Sequence, residues 1–415
     1  MLNRRQLLKL GGLAAAAIHL AACAPGGTGA TDLRGTPALL KLPFESTPGV
    51  AEVARATENL GWQLLRAGTD TNRAIASSSL AVTLGMLAEG ATDDTLQALD
   101  DALGRSGDER SAALGALRQS LAGYESLPTS VDVNDPPKSP IVHQAGQVVI
   151  VDDHPVEQHF LDRLSSYFDA SAQKVELSGL KALLDAWVKK NTAGLIEKSA
   201  VDPMPGIALV LQDAILFAAA WRTEFAHDDV ALDFRGPNGT QQVKALGGSF
   251  QVPWATGDGW SAVRLPYDDN LAMDVILPDG DPTALDNAHL EAARTALDGV
   301  TTKAVELVMP PVDLTTKWKL LPPLRALGID FGHTLDGVFP GAEVSEIAQQ
   351  VRLMTSAKGT VGAAVTEVVV GSGAPSDVVH MSVDHPFVMR VLDVRTGWPL
   401  FLALVNDAQA AAPRR

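Results

Sequence analysis

The sequence predicts one α+β domain with antiparallel sheets, and three observations lead there. Four helical periodicities follow one another between residues 50 and 121. Beyond about residue 140 the pattern changes to apolar strand runs alternating with helices. No internal repeat and no second linker divides the chain, so its 415 residues, 46% of them hydrophobic, can close around one large core.

The elements follow in order. Val50–Ala67 carries Val53, Ala54, Leu60, Leu64 and Leu65 at helical spacing, and Ser77–Leu87 is an apolar helix ended by Gly90-Ala91. Thr95–Leu103 and Glu109–Leu121 read as helices, and the proline-rich Tyr124–Pro140 as a surface loop. Gln147–Val151 reads as a strand, Val156–Tyr167 and Leu180–Asn191 as helices. Ile207–Trp221 is too long and apolar for an edge strand, which predicts that it crosses the middle of a sheet. Strands follow at Ser261–Pro266, Ala272–Pro278 and Ala304–Met309, with helices at Pro282–Leu297 and near Lys317–Leu327. Phe387–Asp393 and Leu400–Val405 close the domain as strands.

Charge and cysteine usage narrow the function classes. A net charge of −16 without a basic cluster argues against a nucleic-acid surface. The single cysteine forbids an intrachain disulfide. Asn3-Arg4-Arg5-Gln6-Leu7-Leu8-Lys9 looks like a twin-arginine export signal. The apolar Leu10–Ala22 follows, and Leu20-Ala21-Ala22-Cys23 resembles a bacterial lipobox. The reading is a signal peptide over 1–22, a lipidated Cys23, a flexible Gly/Thr/Ala/Pro tether over 23–39, a body over 40–408 and a tail over 409–415. Such a chain is exported and held on the outer face of a bacterial membrane. The alternative is a plain secretory signal with an incidental cysteine.

The stretch Ala357–Pro375 reads both as a strand and as an exposed loop. In a strand, one face carries Thr360, Gly362, Ala364, Thr366, Val368 and Val370, and the only charge inside the run, Glu367, lies on the other. A permanent Ala/Val strand of an ordinary sheet would show the same residues.

Several separated stretches resemble the serpins, from about Val50 to Asn406. They are Asn72–Thr95 with Ser79, Met86-Leu87 and Gly90-Ala91; Trp187-Val188 through Thr192, Gly194 and Ile196; and Ala214-Ile215-Leu216-Phe217 with Trp221, Phe225 and Phe234. Then come Leu265-Pro266-Tyr267 with Ile276-Leu277-Pro278, the hinge-like Gly359-Thr360, and Asp384-His385-Pro386-Phe387 with Gly397 and Leu400-Phe401. The resemblance implies a serpin fold: a single domain with about three β-sheets, a large antiparallel-rich sheet at the centre, eight to nine helices and an exposed reactive-centre loop at about 357–380.

It also implies an inhibitor rather than an enzyme, working as a suicide substrate on serine, or alternatively cysteine, proteases. A target protease cuts the loop and forms an acyl-enzyme, and the freed segment enters the central sheet before water releases the protease. The partner is then one protease per inhibitor monomer, held covalently, with no cofactor. By the same resemblance Gly359, Thr360, Val361, Gly362, Ala363, Ala364, Val365 and Thr366 form the loop hinge. The specificity residue and scissile bond are Gly373 and Ala374 when counted from Gly359, whereas counting back from Pro386-Phe387 gives Pro375, so the window is Val370–Ser376. No Arg, Lys or aromatic residue lies there, which fits the shallow pockets of elastase- or subtilisin-like targets. The other reading is a serpin that is cleaved without trapping, or that binds a ligand.

Ser79, Asp213 and Gln349 fall where the resemblance places the opening of the sheet. Asp213 and Gln349 stand where relatives carry Asn and His, and a carboxylate with an amide could keep one hydrogen bond between those positions. Ala357-Lys358 replaces acidic residues ahead of the hinge, and Ala76-Ser77 replaces Ser-Pro. Rival chemistry is sparse. Ser178-Gly179-Leu180-Lys181 matches the Ser-x-x-Lys of penicillin-recognising enzymes, without their Ser-Asp-Asn or Lys-Thr-Gly. Gly371-Ser372-Gly373 is not a nucleophile elbow. Among nine histidines, His154 and His159 are five apart and make no metal set, and no phosphate-binding glycine loop occurs.

Overall fold

A computed structural model describes residues 30–412 apart from 70, 127–135, 332–334, 345 and 361–377. One sheet, of seven strands, is built from β1 (Thr31–Leu33), β4 (Ser171–Val175), β3 (Ile141–Val151), β5 (Leu209–Ala220), β13 (Gly359–Thr360), β12 (Ala348–Ser356) and β11 (Val312–Lys319), in that order across the sheet. β5 sits in the middle, as its apolar length requires. A second ladder runs β14 (Val379–Ser382), β10 (Thr302–Met309), β7 (Gly239–Gly257), β8 (Trp260–Pro266), β9 (Leu271–Pro278), β15 (Phe387–Asp393), β16 (Trp398–Val405) and β2 (Arg73–Ile75), with β6 (His227–Gly236) also on β7. The 19 residues of β7 serve two layers: its middle pairs with β6 and β10, and Trp254–Gly257 pair with β8. The ladder therefore bends into two sheets, making three with the first. Among the described residues only β3–β4 and β10–β14 pair in parallel.

Eight α-helices lie among the described residues: α1 (Val50–Ala67), α2 (Ser77–Ala88), α3 (Asp93–Leu103), α4 (Gly107–Ser120), α5 (Gln158–Arg163), α6 (Leu177–Asn191), α7 (Asn287–Gly299) and α8 (Leu321–Ala326). Every residue of α2 is buried, as its all-round apolar sequence demands. None of these helices is long and apolar enough to cross a membrane. Below β8, β9 and β15 a chain of buried ions replaces apolar core. Asp274 accepts from Arg264 at 2.6 Å and from Arg390 at 2.6 Å, and Arg390 also donates to Glu58 of α1. With both guanidinium groups beside it, Asp274 stays below the usual carboxylate range although burial opposes this.

The structure corrects several sequence expectations. The helix expected near Lys317–Leu327 is strand β11 followed by the short α8. Pro282–Leu297 is a single 3-10 turn and then α7, because Asp286 caps the helix afresh with its side chain on His289 N. The tether read over 23–39 is docked where it is described. Thr31–Leu33 pair with β4, Gly35 N donates to Ser165 Oγ and Thr36 N to Asp162 Oδ1. The tail also packs, with Ala411 buried and its carbonyl accepting from Asp313 N.

Candidate reactive-loop insertion site

The site begins where β12 ends. The chain turns over Ala357-Lys358, and Gly359-Thr360 return between β5 and β12, antiparallel to both. Gly359 lies opposite Ala220, and a Cβ there would stand 2.3 Å from Ala219 O and 2.7 Å from Ala220 Cα, so only glycine fits this approach. Main-chain bonds hold the turn: Trp221 N donates to Lys358 O at 2.9 Å and Phe225 N to Ala357 O at 2.8 Å. The Trp221 indole N–H donates to Ser356 O at 2.9 Å.

Thr360 is fully buried, and its hydroxyl meets that of Tyr267 at 2.5 Å. The Tyr267 ring is stacked on Trp221, with centroids 4.7 Å apart, and meets Phe217 edge-on at 4.9 Å. Burial raises the phenol far above its ordinary value, so it stays neutral at all working pH.

Past Thr360, β5 and β12 share no ladder among the described residues and are joined only through Gly359-Thr360. Between them lies a cavity of about 90 Å³. Residues 211–217 and 347–353 line its walls, Ala76, Ser79 and Thr83 its α2 side, and Trp187 and Leu195 the α6 side. Each wall is pinned to what lies beneath it. On the β5 side Asp213 Oδ2 is 3.3 Å from Arg118 Nη1 of α4, with the two side chains 3% and 11% exposed. Ser79 Oγ donates to Asp213 O at 3.4 Å. Burial outweighs Arg118 and Ser79 and pushes the Asp213 carboxyl up to about 7. On the β12 side the Gln349 amide bonds both ways with Ala76, accepting from its N at 3.0 Å and donating to its O at 3.0 Å.

The structure thus brings Ser79, Asp213 and Gln349 to one cavity and seats Gly359 and Thr360 at its top. It corrects the hydrogen bond expected between Asp213 and Gln349, because α2 takes the amide and Arg118 takes the carboxylate. Val361, Gly362, Ala363, Ala364, Val365, Thr366, Gly373, Ala374 and Cys23 lie outside the described residues. Sequence reasoning missed Tyr267, Trp221 and Arg118 as site residues, although Tyr267 stands within a noted motif. The Ser178-x-x-Lys pattern dissolves: the Lys181 ammonium is held by the carbonyls of Ser199 and Val201. Among the described residues no cluster of three metal-ligating side chains occurs.

A family model described as serpin (serine protease inhibitor) matches residues 55–408. The chain is a serpin. Members of this family are in general serine protease inhibitors and not catalytic enzymes. Iripin-2 of Ixodes ricinus is 28% identical over 379 residues, which cover 86% of this serpin and 94% of the relative. The native structure of the thermophilic serpin tengpin superposes with a TM-score of 0.76 at 18% identity, covering 91% of this chain and 99% of that one. A thyroxine-binding globulin in complex with thyroxine gives 0.71, also at 18% identity, over 86% and 99%. At these identities the two solved structures speak to the fold alone.

Proposed function

We propose that this serpin inhibits a serine protease as a suicide substrate, with the cavity between β5 and β12 receiving the cut loop. The observation that carries the reading is the seated hinge. Gly359-Thr360 already form the first two residues of a strand between those walls. Continued in register, each further loop residue steps one residue back along both walls, so Thr366 meets Asp213 on one side and Gln349 on the other. Thr360, Gly362, Ala364 and Thr366 then share the buried face, and Glu367 falls on the other. The β5 wall ends at Leu209, which in this extended register would pair with Val370, where the expected cleavage window opens.

Tethering explains why cleavage comes first. A strand from Thr360 to Val370 is about 33 Å long. Uncut, the loop is held at both ends, by Gly359-Thr360 in the seven-stranded sheet and by Val379 on β10, and a cut releases the downstream hold. Attack by the protease serine on the carbonyl at Gly373, or at Pro375, releases the downstream amine and leaves the upstream segment esterified to the enzyme. That segment is then free to run the full cavity and carry the protease with it. The small residues of Val370–Ser376 favour an elastase- or subtilisin-like target. We further propose that Cys23 anchors the protein on the outer face of a bacterial membrane.

The test mixes the protein from about residue 30 onward with an elastase and, separately, a subtilisin, followed by a denaturing gel and intact mass. A complex that survives denaturation, with a released peptide starting inside 371–377, supports the reading. Clean cleavage without a complex by every protease that cuts the loop rejects it, and favours a serpin that is cleaved without trapping.

A further inference from the structure

We infer that Tyr267 is a positioning residue for trapping: its hydroxyl holds Thr360 in the sheet, so that insertion starts from a strand already nucleated. This rests on the inhibitory reading above, but its first half concerns the resting protein alone.

Both hydroxyls are buried, Tyr267 being 3% and Thr360 0% exposed, and they stand 2.5 Å apart. The phenol cannot turn to another partner, because Trp221 is stacked on its ring and Phe217 packs against its edge. If Thr360 left the sheet, a buried phenol would lose its hydrogen bond, which makes the expelled hinge the costlier state. Trp221 adds to the grip through its indole bond to Ser356 O and its main-chain bond to Lys358 O. The first steps of a strand are the expensive ones, since they fix backbone for few hydrogen bonds. Beginning from a seated hinge removes that delay during the acyl-enzyme's lifetime, when insertion races hydrolysis.

A coupled pair leaves a signature that a merely structural role does not. Tyr267→Phe strands the threonine hydroxyl, and Thr360→Val strands the phenol. The double variant strands neither, so it should recover much of what each single one loses. Thr360→Ser keeps the hydroxyl and should keep the parent's hydrogen-exchange rate over residues 356–360.

The experiment has two arms on these variants. Hydrogen exchange read by mass spectrometry on peptides spanning residues 356–360 should be about fivefold faster or more in each single variant and close to the parent in the double. Titration of the protease should show a severalfold rise in inhibitor consumed per enzyme trapped, with the same recovery. Tyr267→Phe exchanging like the parent overturns the inference, as does a double variant worse than both singles. The expected exchange pattern with an unchanged titration overturns its second half. If the parent traps no protease, the inhibitory reading fails and the exchange arm alone decides the clamp.

Discussion

Asp213→Asn is the perturbation whose size the structure fixes most directly. The side chain is only 3% exposed, and burial lifts its carboxyl from an ordinary 3.8 to about 7 against the pull of Arg118 and Ser79. A shift of about three units corresponds to about 4 kcal/mol. The sign follows from which form is penalised. The native state resists ionisation, so the favourable contribution is complete below 3.8, declines as pH rises and is gone once pH has passed about 7. Solubility confines the assay to pH values above the isoelectric point of about 4.9. Between pH 5.5 and 8.5 this one group should remove about 2 kcal/mol, nearly all of it before pH 7.5. Asparagine has no such titration. Urea unfolding of parent and Asp213→Asn, followed by tryptophan fluorescence across that range, should therefore give curves that draw together or cross by about 2 kcal/mol. Two profiles that stay parallel would refute the argument, and would mean that the Arg118 ion pair compensates for desolvation.

Other expectations follow from the same packing. Thr360→Arg places a guanidinium where no surface is exposed, so the loop should be cut without trapping; unchanged complex formation on a denaturing gel would count against insertion. Arg390→Ala leaves Glu58 and Asp274 without a shared cation in a buried site, and should cost about 3–5 kcal/mol of stability in urea unfolding. Cys23→Ser should move the protein from the membrane to the soluble fraction of its exporting host, and persistent lipid labelling would remove the anchor.

Much of this fold was legible because its signals are local. The helices α1 and α3 announce themselves by period, α2 by a continuous apolar run, and β5 by a length and apolarity that only a central strand sustains. β11 was lost because its alternation, with Val312, Leu314, Thr316 and Trp318 buried, runs straight into Leu320-Leu321-Pro322-Pro323-Leu324, whose apolar residues mimic a helix. β7 was lost because Gly247-Gly248 and Pro253 look like breakers. Here Gly247 and Gly248 face Val230 and Phe250 too closely for a side chain. At the site, Ser79, Asp213 and Gln349 could be placed through the resemblance to the serpins. Tyr267 with Thr360 and Arg118 with Asp213 could not, since 93 and 95 residues separate the partners and nothing local marks either pair.

The seated hinge also divides the seven-stranded sheet into unequal parts, β1-β4-β3-β5 on one side and β12-β11 on the other. Thr31–Leu33, the first described strand, rides at the outer edge of the four-stranded part. A full strand entering at the hinge must displace one part from the other by up to a strand spacing, about 4.8 Å. If the cut loop inserts as proposed, β1 and β11 are the two jaws of a caliper, and spin labels at their ends would read its progress as a length.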